Sequence, residues 1–159
     1  MNQSATIQFL NDIQLGSELT ASDRQSLASM GEIVDVESGE TLFRERELHP
    51  TLYWIMKGRV TLEMSTGGTN PKLLLTLGPG DLLAWSSMLS NGRMTSTAAT
   101  HQPSRLLAMN SKQLDHLCSK NHEIGYRVME HLAQRLADRL LATRLQLLDL
   151  FRRPNEAEV

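Results

Sequence analysis

Residues 59–64 read RVTLEM, with Val60, Leu62 and Met64 alternating against Arg59, Thr61 and Glu63. A period of two puts the apolar side chains on one face and the polar ones on the other, as in a strand with one buried face. Residues 32–37, EIVDVE, repeat the pattern, with Val34 and Val36 set against Asp35 and Glu37. Between and beyond these runs lie Ser38-Gly39, Lys57-Gly58, Gly67-Gly68, Gly78-Pro79-Gly80 and Asn91-Gly92, all turn formers. Short strands broken by glycine turns at this spacing predict a small antiparallel sandwich or barrel.

The period changes on both sides of this region. Thr20 is placed to cap a helix over residues 21–30, with Leu27 and Met30 as its apolar edge and Gly31 as its stop. Asn110 can cap a short helix over residues 111–118, and Asn121 can cap a second one. From His122 to Phe151 there is no proline and one glycine, Gly125. Met129, Leu132, Leu136, Leu140, Leu147 and Leu150 recur there at helical spacing, and Val128, Ala133, Ala137, Leu141, Leu145 and Leu148 widen the apolar face. Pro154 ends the regular stretch.

A helix of about 30 residues is roughly 45 Å long. A compact domain of this size has a diameter of about 40 Å. Such a helix, with so wide an apolar face, is expected to pack both on its own barrel and against another chain. The natural partner is the same helix of a second copy, with Met129, Leu132, Leu136, Leu140 and Leu147 at the dimer interface. The alternative is a monomer whose helix folds over its own barrel. Arg135, Arg139 and Arg144 are read as the solvated face, and Glu123 and Arg127 as an i,i+4 pair.

These readings describe one domain over residues 1–159: a helical lead (1–31), a strand-rich middle (32–109) and a helical tail (110–151). The 159 residues carry a formal charge of −2, without the basic balance of a domain that binds nucleic acid through phosphates. The one cysteine, Cys118, can form neither an intrachain disulfide nor a zinc framework, and is expected to be a buried, inert thiol. Residues 1–9 lack the basic and apolar regions of a signal peptide, and no apolar run approaches a membrane span. A cytoplasmic protein is expected. Tyr53 and Trp54 are expected to be packing residues within a strand.

The order of elements resembles the effector domain of the catabolite-activator and FNR-like regulators, the cyclic-nucleotide-binding family. The matching stretches are SGETLFRE (38–45), LYWIMKGRVTL (52–62), LGPGDLLAW (77–85) and SRLLAM (104–109) leading into the two helices. The resemblance implies a mainly β fold with α, a double-stranded, jelly-roll-like β-roll flanked by N-terminal helices and a long C-terminal dimerisation helix. Gly39, Gly58 and Gly80 fall where that roll reverses. The family's usual glycine after LFRE is Arg46 here, so that turn is expected to be built otherwise.

In cyclic-AMP-binding members a Gly-Glu pair follows the GD turn, and an arginine follows about ten residues later. The glutamate takes the ribose hydroxyl and the arginine the cyclic phosphate. Here the pair is Ala84-Trp85 and the arginine position is Thr95, with Arg93 two residues earlier. The resemblance therefore implies a ligand-sensing regulatory domain that does not bind cyclic AMP by the usual residues. A register shift could still bring Arg93 or Arg59 to a phosphate. The ligand site is expected around Leu83, Ala84, Trp85, Ser86, Ser87, Arg93, Thr95 and Ser96, for a small-molecule or nucleotide effector. Trp85 either stacks on the ligand or plugs the pocket. Thr95, Ser96 and Thr97 also fit a plain strand.

Two other functional classes are open at this level. One is a ligand-free dimeric scaffold that has lost sensing. The other is a cupin-like metal enzyme, although the histidines at 49, 101, 116, 122 and 131 show no H-x-H or H-x-x-x-H spacing. No nucleophile motif or Walker loop is visible, so no catalytic or metal-binding residue is assigned. The regulators it resembles continue into a helix-turn-helix. No recognition helix fits after Phe151, so signalling through an unidentified protein partner, without direct DNA binding, is expected.

Overall fold

The computed structural model describes residues 2–68, 70–89 and 91–152, with the side chain of Asn2 excepted. Two helices lead, α1 (Asn2–Asp12) and α2 (Ala21–Ser29). The strands are β1 (Gly31–Val36), β2 (Thr41–Phe43), β3 (Thr51–Lys57), β4 (Val60–Met64), β5 (Lys72–Leu77), β6 (Leu82–Leu83), β7 (Thr97–Thr100) and β8 (Ser104–Asn110). A short α3 (Ser86–Leu89) interrupts them, and α4 (Ser111–Lys120) and α5 (His122–Leu150) close the described chain. The strands form two four-stranded antiparallel sheets, β1-β8-β3-β6 and β2-β7-β4-β5, the double-stranded β-roll.

The two sheets differ in sequence because they differ in what covers them. On β3, Leu52 and Trp54 face the helices, where they pack with Leu10, Leu27, Leu114, Ile124, Val128 and Leu132. Ile55 faces the second sheet and meets Val60, Leu62, Leu77, Ala98 and Leu106. With both faces covered, β3 and β8 read as near-continuous apolar runs, LYWIM and SRLLAM. In the second sheet Val60 and Leu62 face inward as their alternation predicts. Thr61, on the outer face, is nonetheless buried, because its hydroxyl donates to the Ala99 carbonyl and meets His101 Nε2 at 2.9 Å. Met64 shares the inward face, lining the same space as Leu62, but is partly exposed at the strand's end.

The caps follow the sequence reading. The side chains of Thr20, Asn110 and Asn121 accept from the backbone N–H of Asp23, Gln113 and Ile124, so each helix begins where its capping oxygen satisfies a free donor. Gly31 is not the stop of α2. Met30 ends that helix in a right-handed conformation, and Gly31 opens β1, where a Cβ would lie 2.7 Å from Leu107 Cδ1. Its role is close approach.

The turn at Arg46 is also not rebuilt. The arginine itself takes a left-handed φ of 72°, its N–H donating to the Met94 carbonyl at 2.8 Å. A side chain there costs about 1–2 kcal/mol against glycine, which offsets part of that gain by its greater freedom when unfolded. Arg46 is exposed and its side chain is engaged in no ion pair among the described residues. Arg46→Gly should therefore raise stability by about 0.5–1 kcal/mol, readable as a higher urea midpoint at unchanged m-value.

The long helix divides in two. Its first half is anchored: Ile124, Val128 and Leu132 are buried, and the Trp54 indole N–H donates to His131 Nε2 at 2.9 Å. Its second half carries Leu140, Leu141, Leu145, Leu147, Leu148, Leu150 and Phe151, each more than half exposed. Leu132, expected at a dimer interface, is instead 1% exposed inside its own core, because the first two turns beyond Ile124 face the sheet. Met129, Leu140 and Leu147 are exposed and Leu136 is half-buried.

Candidate functional site

A cavity of about 200 Å³ lies between the second sheet and α5. Its apolar wall is made by Phe43 of β2, Leu62 of β4, Leu75 of β5 and Met94. Ala84, Trp85 and Ser86 form one side, Thr95 and Ser96 the entrance to β7, and Arg139, Thr143 and Gln146 of α5 the remaining side. The segment 84–86 is shaped by the backbone. Ala84 adopts a left-handed φ of 62°, the chain turns, and α3 begins at Ser86. That reversal turns Ser86 into a buried position and leaves Trp85 half-buried, packed on the helix-side core while lining the cavity. The indole is a wall of the cavity and does not fill it.

The structure thus brings Ala84, Trp85, Ser86, Thr95 and Ser96 together around one space. It separates the other residues expected there. Leu83 is fully buried in the core between the sheets. Ser87 lies one helical position round, beside Leu48, His49 and Lys112, with its buried hydroxyl unpaired among the described residues. Arg93 is exposed outside the cavity, and its Nη1 donates to the Arg46 carbonyl at 3.0 Å. Arg59 packs beside Gly78 and also lies outside the cavity. A register shift therefore brings neither arginine inward. Thr95 and Ser96 precede β7; of the three hydroxyl residues read as strand, Thr97 alone belongs to it.

The charged residue at the cavity is Arg139, expected from the sequence on the solvated face. Its Nη2 donates to the Leu82 carbonyl, joining α5 to β6. Burial pulls the guanidinium below its ordinary value, while the Asp81 carboxylate acts to raise it. The group stays charged at neutral pH. No carboxylate lines the cavity, and Arg139 has no ion pair among the described residues. A signal for it existed: Leu132, Leu136, Arg139, Thr143 and Gln146 follow one another at steps of three or four, so the inward stripe of α5 continues as polar residues. Arg135 instead pairs with Asp138 at 3.2 Å, and Arg144 is exposed.

Elsewhere the titratable groups are structural. The Tyr53 hydroxyl and His49 Nε2 are 2.9 Å apart, and burial lowers the His49 pKa and raises that of Tyr53. The Cys118 thiol is buried and pushed up by desolvation, the opposite of an activated nucleophile. Among the described residues no three His, Cys, Asp or Glu side chains gather as a metal site, and no helix is long and apolar enough to cross a membrane.

The sequence profile of the family described as "Cyclic nucleotide-binding domain" matches residues 33–121. The "CRP-like cAMP-activated global transcriptional regulator" of Mycobacterium tuberculosis is 32% identical over 103 residues, 65% of this chain and 46% of that protein. The chain spans about half the length of the curated relatives it matches. Among solved structures, a cyclic nucleotide-binding domain from Methylobacillus flagellatus superposes with a TM-score of 0.80 at 16% identity, over 95% of this chain and 85% of that one. The catabolite activator protein of Thermus thermophilus gives 0.67 at 25% identity, over 85% of this chain and 62% of that one.

Proposed function

The chain belongs to the cyclic nucleotide-binding domain family, and from that premise we propose that it is an effector-sensing regulatory domain that signals through α5 in a homodimer. One observation carries the reading. The cavity is shared between the β-roll and α5, so an occupant would touch Trp85, Ser86 and Ser96 on one side and Arg139 and Thr143 on the other. Anything bound there has different contacts in different settings of α5, which is what a population shift requires. The exposed leucines of the second half of α5 supply the output surface, and a second copy of the same helix is the occupant that matches their width and length. Met129, Leu136, Leu140 and Leu147 form the proposed interface; Leu132 belongs to the core.

The usual mode of cyclic AMP binding is not part of this proposal. Ala84 and Trp85 replace the Gly-Glu pair, Thr95 stands at the arginine position, and Arg93 points elsewhere. Loss of a charge-assisted hydrogen bond to the phosphate costs about 1.5–3 kcal/mol. Cyclic AMP should therefore bind at least tenfold more weakly than to a domain that has both groups.

Light scattering tests the dimer. The chain should run at twice its own mass, and the double variant Leu140→Lys/Leu147→Lys at the monomer mass with the β-roll still folded. A monomeric parent chain would remove the proposed output.

A further inference from the structure

We infer that the cavity takes a compact organic anion, an apolar body bearing one carboxylate-like charge, and that Arg139 of α5 holds the charge. The inference rests on the sensor reading above and names the ligand class of that site. It follows from the lining. Phe43, Leu62, Leu75 and Met94 offer an apolar wall with an indole beside it, and no acidic side chain. Against that wall stands one guanidinium, partly desolvated and without an ion pair among the described residues.

A guanidinium has five N–H donors in a planar fork suited to a carboxylate. Arg139 makes one described hydrogen bond with them, to the Leu82 carbonyl, a neutral acceptor. A carboxylate entering the cavity would meet the remaining donors in a medium of low polarity, where a charge-assisted bond is stronger than at the surface. Size narrows the class further. About 200 Å³ lies below the volumes of about 300–1,000 Å³ that hold drug-sized molecules, so the body is a single ring or a short chain. The hydroxyls of Ser86 and Ser96 can meet a second polar atom, but neither carries charge.

The position of the cation gives the inference a regulatory consequence. Arg139 sits on α5, so the bond that holds the anion is also a bond to the output helix. Binding engages donors that the Leu82 carbonyl leaves free, adding a second tie between the roll and α5, and the setting of α5 against the roll changes with occupancy.

The test is calorimetric titration of the full chain with phenylacetate and octanoate, each beside its neutral amide, and with cyclic AMP. Three proteins are compared: the parent chain, Arg139→Met and Arg139→Lys, with thermal melting to establish that each folds. At least one carboxylate should bind the parent about 10- to 100-fold more tightly than its amide. Arg139→Met should erase that preference while leaving amide binding intact, and Arg139→Lys should restore part of it. Equal binding of acid and amide overturns the inference, as does binding of cyclic AMP without either carboxylate; in both cases the sensor reading stands. Failure of every compound to bind the parent overturns the inference alone, whereas a monomeric parent chain in light scattering removes the sensor reading with it.

Discussion

Replacing Gly58 with alanine should destabilise the domain by about 3 kcal/mol or more. Gly58 lies in the turn between β3 and β4 at a φ of 109°, where side chains are strained. The added Cβ would also lie 2.1 Å from Ser104 Oγ, 2.6 Å from Ser104 Cβ and 2.7 Å from Ser104 Cα. Rotating the hydroxyl away does not help, because the last of these is backbone. Ser104 opens β8, the central partner of β1 and β3, and pairs with Val36, so the overlap can be relieved only by displacing the start of that strand or the turn that carries residue 58.

Gly39 provides the control. Its φ is 85°, but a Cβ there meets nothing within 4 Å. Gly39→Ala should cost about 1 kcal/mol from backbone strain alone. Thermal melts should separate the two, with roughly 10 °C lost for Gly58→Ala and only a few degrees for Gly39→Ala. Equal losses would show that close approach to Ser104 contributes nothing.

Acidification should weaken the fold through His131. Burial, with a further contribution from Arg135, lowers the His131 pKa from 6.5 to about 4. The buried imidazole accepts from the Trp54 indole through Nε2, so protonation would turn the acceptor into a second donor facing a donor. The sign follows from proton counts. Between pH 6.5 and 4 the unfolded chain takes up a proton that the folded chain refuses, so stability is full above 6.5 and falls as the pH falls.

The loss should reach about 2 kcal/mol by pH 5 and on the order of 3 kcal/mol at pH 4. His49, also lowered by burial, adds in the same direction. Urea unfolding at pH 7.5 and pH 5 measures the slope. His131→Gln keeps an acceptor for the indole and removes the titration, so its slope should be markedly flatter. An unchanged slope would place the acid sensitivity elsewhere.

Much of the architecture was legible because its causes are local. Val60 and Leu62 alternate with polar neighbours because only one face of the sheet packs into the apolar core, and the capping oxygens of Thr20, Asn110 and Asn121 act on N–H groups three residues away. Gly39, Gly58 and Gly80 all adopt positive φ, which glycine tolerates and other residues resist. Where sequence and structure differ, the deciding contact is distant in sequence. Gly31 looked like a helix stop, but its small size serves Leu107 on β8. Arg46 looked incompatible with a left-handed turn, yet the turn keeps its form, with the Arg46 N–H held by the Met94 carbonyl and its own carbonyl by Arg93.

The candidate site divides along the same line. The expectation of a ligand site among residues 83–96 comes from the resemblance. Which of them face the cavity could not be read from the sequence, because the left-handed turn at Ala84 redirects the chain before α3 and sends Ser86 inward while Ser87 turns away. Periodicity alone established that α5 is long, apolar on a wide face and capped by Asn121. Which part of that face meets the core and which is left exposed depends on where the helix crosses the sheet. The crossing buries Leu132, leaves Leu140 and Leu147 in solvent, and carries Arg139 to a cavity built by residues 43 to 96. Helical spacing specifies which residues share a face, and only packing against the distant sheet specifies what that face meets.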